Sequence, residues 1–105
     1  MRIITTIDQK NLVSSQSTAK LAEQSGYDGI CTLENRHDPF LPLAVASTTT
    51  KAIELSTGVA IAFLRSPMST AHISWDLNTS SRGRFVLGIG PQIKAHNEKR
   101  FSVPW

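Results

Sequence analysis

Phe85-Val86-Leu87-Gly88-Ile89-Gly90 is a short apolar run that ends in Gly-x-Gly, and it follows the turn signal Ser81-Arg82-Gly83-Arg84. A strand that closes on glycines lets backbone N–H groups approach a ligand, because no Cβ holds it off. Gly88 and Gly90 are therefore candidates for a phosphate or cofactor edge. The pair lacks the third glycine of a dinucleotide fingerprint and the Lys-Ser/Thr of a P-loop, so alone it also fits a structural turn. Its weight comes from repetition: apolar strands with special residues at their carboxyl ends occur elsewhere in the chain.

Working back from this run, Ile53 to Phe63 reads as a third strand with Gly58 inside it, and Asp28 to Leu33 as a second. Arg2 to Ile7, rich in β-branched residues, reads as the first. Helical stretches separate them: Ser15 to Gln24, with Gly26 at the position where a helix ends in the left-handed conformation, and then Pro42 to Ala52. Met68 to Thr79 is introduced by the cap-and-proline signature Ser66-Pro67, and Ile93 to Phe101 begins a fourth helix. The order βαβαβαβα, with nearly continuous apolar runs in the third and fourth strands, predicts a parallel sheet with right-handed crossovers. An open doubly wound sheet and a piece of a (β/α)8 barrel share that order, and each places ligands at the carboxyl ends of its strands.

Composition narrows the class. The 105 residues are 40% apolar and 18% charged, which suits one globular domain, 1–105. The net charge of +3 is spread without a block of like charge, and this disfavours nucleic acid as a partner. One cysteine, Cys31 in the apolar run GICTL, excludes an internal disulfide framework, reads as a buried small hydrophobe and fits a reducing, cytoplasmic compartment. MRIITTIDQ does not read as a signal peptide, and no stretch approaches the roughly 20 apolar residues of a membrane helix.

Beyond the predicted strand ends lie Asp8, then Glu34-Asn35-Arg36-His37-Asp38-Pro39-Phe40, then Leu64-Arg65, then Pro91-Gln92. His37 is the candidate for acid–base work, since imidazole titrates near neutrality and Glu34 and Asp38 are close enough in sequence to orient it. A capping or packing loop histidine is the plainer alternative. His72 and His96 are not paired with another His or Cys at ligand spacing, so no metal site is expected.

Three stretches carry a resemblance: AEQSGYDGICTLENRHDPFLPLAVAST, IELSTGVAIAFLRSPMSTAHISWDL and SRGRFVLGIGPQIKAHNEKRFSVPW. Together, with HDPFLPL, RSPM, WDL and SRGRF as their distinctive parts, they resemble the N-terminal part of the bacterial-luciferase-like monooxygenases, most of all the members that use coenzyme F420. The resemblance implies the barrel: an α/β fold made of the first four βα units of a parallel (β/α) barrel. It also implies a flavin- or F420-dependent oxidoreductase, with coenzyme F420 as the cofactor and FMN as the alternative. The family's bulged third strand, with a non-prolyl cis peptide beneath the ring, corresponds to Gly58 and Val59. His37 corresponds to the polar groups near the reactive carbon, and Gly88 and Gly90 to the cofactor edge. Where the family has a glycine- and Thr/Ser-containing loop after the fourth strand, this chain has Pro91-Gln92.

A whole barrel of this kind needs about 250 residues or more. A complete site within one 105-residue copy is therefore not expected, and a noncatalytic half-barrel that self-associates or keeps a remnant of the cofactor pocket is the rival reading. Four strands leave two unpaired edges and an inner face carrying Val59, Ile61, Phe63 and Val86, so a homodimer or higher oligomer is expected beside a small-molecule substrate.

Overall fold

The computed structural model describes residues 1–105. In chain order the elements are β1 (Ile4–Thr6), α1 (Leu12–Gln24), β2 (Gly29–Thr32), α2 (Phe40–Thr49), β3 (Glu54–Thr57), β4 (Ala60–Ile61), a 3-10 turn (Ala62–Leu64), α3 (Pro67–Ser80), β5 (Phe85–Val86), β6 (Ile89–Gly90) and α4 (Lys94–Arg100). A four-stranded sheet runs β1-β2-β3-β5, all parallel, and β4 pairs β6, also parallel.

This order decides between the two architectures. Each new strand is added on the same side of the last, so right-handed crossovers put every helix on one face, as in a barrel. A doubly wound sheet requires the order to reverse, and it does not. Thr5, Ile30, Leu55 and Phe85 form one row across the sheet. Ile30 and Leu55 are fully buried in a cluster with Ala19 and Ala22 of α1, Phe40, Leu43 and Ala46 of α2, and Leu77 of α3, with Phe85 packed against it. Each large aliphatic side chain buried in this way contributes about 1.5–3 kcal/mol. The next row, Thr6, Cys31, Ser56 and Val86, points to the opposite, concave face, which no helix covers.

Local chemistry accounts for the element ends. Asn11 caps α1 by accepting the Ser14 N–H at 2.8 Å, so this helix starts three residues earlier than Ser15, and Gly26 ends it at φ +88°. The second helix runs two to three residues earlier than the span Pro42 to Ala52. Asp38 accepts the N–H groups of Phe40 and Leu41 at 2.7 and 2.9 Å, and Pro42 sits in the first turn, where its missing N–H costs nothing. Ser66 caps α3 through the Ser69 N–H, with Pro67 at the first helical position, as the sequence predicts.

The third strand is broken in two, and its partner with it. Between Ser56 and Ala60 lie three residues, against two between their partners Val86 and Ile89, so the third strand carries one extra residue, a bulge, at Thr57-Gly58-Val59. The Gly58–Val59 peptide is cis. The side chains named for the inner face separate accordingly: Val86 lies on the open face, Ile61 is buried, and Phe63 belongs to the 3-10 turn, edge-on to Trp105 at 5.6 Å.

Candidate active site at the strand carboxyl ends

The bulge is built from side chains that replace the interrupted ladder. The Thr57 hydroxyl donates to Gly88 O at 2.7 Å and accepts the Gly88 N–H at 2.9 Å, while Gly88 O also accepts the Ala60 N–H at 2.8 Å. A Cβ at Gly88 would run into the Thr57 carbonyl, and one at Gly58 into the Cys31 sulfur. Packing thus accounts for glycine at Gly88, where the obstacle is backbone, and favours it at Gly58, where the obstacle is the Cys31 side chain. Gly58 itself is exposed, and half-buried Cys31, not fully buried as its apolar run suggests, lies behind it. The result is a side-chain-free step of backbone on the open face of the sheet.

Glu34, just past β2, ties this step to its surroundings. Its carboxylate accepts the Ile61 N–H at 2.6 Å and both terminal nitrogens of Arg65, one at 3.0 Å and the other in a shorter contact. The pair is desolvated: the side chains are 5% and 15% exposed, and the guanidinium lies 4.9 Å above the Phe40 ring. These hydrogen bonds to Glu34, against the opposing effect of burial and with help from the charges of Glu34 and Asp38, hold the Arg65 guanidinium above the ordinary arginine range. Asp38 reaches Arg65 at 3.4 Å with its second oxygen.

His37 is placed differently from the sequence expectation. Glu34 is engaged by Arg65 and Ile61, Asp38 by Arg65 and the start of α2, and neither bonds to His37. The imidazole is exposed and lines a cleft of about 420 Å³ between the ends of β1 and β2, together with Thr6, Asp8, Lys10, Asn35 and Arg36. Gln9 forms one wall. Its amide donates to Leu33 O and accepts the Leu33 N–H, both at 2.9 Å, and so extends the β1–β2 pairing past the last true bridge. The sequence signal for this clamp was slight, a glutamine two residues beyond an apolar strand. Arg65 and the Pro91-Gln92 loop follow the ends of the third and fourth strands, the latter held by Asn97, whose amide donates to Pro91 O at 2.8 Å. No group of three or more His, Cys, Asp or Glu side chains is arranged to hold a metal, and no helix is long and apolar enough to cross a membrane.

A parallel sheet sheathed on one face, with a glycine step, a buried ion pair and an exposed histidine gathered at its carboxyl ends, is part of a (β/α) barrel seen at the end where such barrels carry their sites. The chain belongs to the luciferase-like monooxygenase family, whose sequence model matches residues 5–105. It is 50% identical over 94 residues to the uncharacterized protein Rv1360 of Mycobacterium tuberculosis, covering 90% of this chain and 28% of that protein. The coenzyme F420 dependent tetrahydromethanopterin reductase of Methanopyrus kandleri superposes with a TM-score of 0.80 at 26% identity, over 95% of this chain and 29% of the reductase. The oxygenating constituent of 3,6-diketocamphane monooxygenase from Pseudomonas putida, solved with FMN, shares the fold at a TM-score of 0.84 and 18% identity, over 99% of this chain and 33% of that one. The chain thus spans about a third or less of the length of each of these relatives.

Proposed function

We propose that this chain forms the cofactor-facing part of an oxidoreductase site that works with coenzyme F420, FMN being the alternative, on a small-molecule substrate. The observation that carries the reading is the side-chain-free step at Gly58 on the open, carboxyl-end face, held by Thr57, Gly88 and the Glu34–Arg65 pair. A planar ring is best received by bare backbone, and Gly58, Val59, Gly88 and Gly90 are the residues that would hold it. Bound deazaflavin supplies hydride transfer at its C5 carbon. The F420-dependent reductase of M. kandleri supports that choice, and the FMN-bound oxygenase supports the alternative.

The chain's own residues bind and orient. Glu34 fixes the Ile61 amide and with it the strand leaving the bulge, while the Gln9 clamp fixes the wall beside His37. His37, exposed and lining the cleft, is the residue that would give or take a proton there. The cytoplasm is the proposed compartment, in keeping with the free thiol of Cys31.

A noncatalytic role that keeps only the remnant of the pocket is the second reading. It is favoured by the uncovered concave face, since ligand sites normally bury about 70–90% of a small ligand. Titration of the purified chain with coenzyme F420 and with FMN separates the two. An absorbance shift and micromolar retention of one cofactor is expected, and no shift with either at tens of micromolar would overturn the proposal.

A further inference from the structure

We propose a second binding site, at the amino ends of the strands, that takes a small phosphorylated polyol such as a sugar phosphate. It is a cavity of about 530 Å³ whose walls come from the last turns of α2 and α3 and from the loops that lead out of them into β3 and β5. The glycine step lies at the other end of the same strands, where barrels carry their reactions. This cavity therefore binds without entering the chemistry. No apolar side chain lines it, so it offers no seat to a flat ring, and its ligand differs from a flavin or deazaflavin.

Cations supply one half of the recognition. Lys51, Arg82 and Arg84 converge on the cavity, and none of them forms an ion pair with a carboxylate. Glu23, the acid whose charge reaches Arg84, is taken up by the N–H groups of Lys51, Ala52 and Ile53. Half-buried Arg84 donates to Ser47 O, Thr50 O, Ile53 O and Ser81 O, and so neutralises the carbonyl end of α2, which would otherwise repel an anion. Burial, and then the like charge of Arg82, against the opposing charge of Glu23, hold its guanidinium below the ordinary arginine range. A bound anion relieves that repulsion. Lys51 and Arg82 are exposed and donate no side-chain hydrogen bond to the protein, which leaves their N–H groups for a phosphate.

Hydroxyls supply the other half. Ser47, Thr48 and Thr50 give their protons to the carbonyls of Ala44, Val45 and Ala46 at 2.7, 2.8 and 2.6 Å, and Ser80 meets Ser47 at 2.6 Å. The oxygens of Thr48 and Ser80 are left as acceptors, which suit the hydroxyl groups of a polyol.

Amide NMR of the labelled 105-residue chain at fixed ionic strength tests the site with ribose 5-phosphate, inorganic phosphate and ribose. Ribose 5-phosphate is expected to shift Lys51, Ser80 and Arg82 saturably, with a dissociation constant of about 0.1–1 mM, and to leave Gly58 and Gly88 unmoved. Inorganic phosphate is expected to bind about tenfold more weakly, and ribose more weakly still. Arg82→Gln, on an exposed turn, is expected to weaken ribose 5-phosphate about tenfold, while Lys94→Gln, a surface charge on α4, leaves it unchanged. Should Arg82→Gln lose its dispersed spectrum, Lys51→Gln makes the same test. No saturable shift, shifts centred on the glycines, or inorganic phosphate or ribose binding as tightly as ribose 5-phosphate each overturns the proposal. So does a folded Arg82→Gln chain of wild-type affinity, or an equal loss in Lys94→Gln. These outcomes do not depend on whether a cofactor binds at the carboxyl ends.

Discussion

Replacing Arg65 by methionine strands the Glu34 carboxylate, whose side chain is only 5% exposed, with a single remaining donor, the Ile61 N–H. Methionine keeps an aliphatic stem over Phe40, so the change is chiefly one of charge and hydrogen bonding. Removing one partner of a buried ion pair costs about 3–5 kcal/mol, against about 0.2–1 kcal/mol for an exposed pair. The burial of both side chains puts Glu34–Arg65 in the first class. A domain of this size has about 5–15 kcal/mol in total, so Arg65→Met is expected to consume a large part of its stability. Adding Glu34→Gln removes the stranded charge, and the double variant is expected to recover about 2 kcal/mol relative to Arg65→Met. Urea denaturation followed by far-UV circular dichroism measures both. A cost for Arg65→Met below about 1 kcal/mol, or a double variant no more stable than the single one, would refute the assignment of this pair as the buried tie between β2 and the bulged strand.

Thr57→Val keeps the shape of the side chain but deletes both hydrogen bonds to Gly88, at about 1 kcal/mol net each, and chemical denaturation should show a loss near 2 kcal/mol. Gly88→Ala drives a methyl group into the Thr57 carbonyl and is expected to destabilise by more than the roughly 1 kcal/mol typical of a substitution, read as a lower melting temperature. Acid stability should depend on Glu23. Burial pushes its carboxyl up, but the N–H groups of Ala52, Ile53 and Lys51 and the charge of Arg84 outweigh it and leave the folded carboxyl below its ordinary value. The folded state therefore binds this proton less readily than the unfolded chain. The stabilisation is present above the ordinary glutamate range of about 4.3 and is lost as pH falls below it. Glu23→Gln should flatten the acid limb of a stability-versus-pH curve while lowering stability at neutral pH, and an unchanged acid limb would contradict the part given to these N–H groups.

The order of strands and helices was legible because each element carries a local signal: β-branched runs, the Ser66-Pro67 start, Gly26 at a helix end. The choice of barrel over open sheet was not legible in periodicity, since it depends on the side to which each strand is added. The break in the third strand was readable only as a glycine in an apolar run. Its cause is a backbone step healed by Thr57, whose partner Gly88 lies 31 residues away. The same distance explains why Glu34 looked like a partner for His37. Neighbours in sequence are cheap to propose, while Arg65, also 31 residues away, reaches Glu34 only after the loop and turn have folded. His37 and Arg65 could be placed at this end because they follow strand ends, whereas the carbonyls that Gln9 and Arg84 bind are distant in sequence and no local pattern announces them.

The most direct test of the site is a two-dimensional amide NMR spectrum of the labelled chain recorded during addition of coenzyme F420, and separately of FMN. Shift changes are expected at Gly58, Val59, Gly88 and Gly90 and at His37, with Arg82, Gly83 and Arg84 at the opposite end of the strands unmoved. Changes confined to the amino ends of the strands, or none with either cofactor, would contradict a cofactor site at the carboxyl ends.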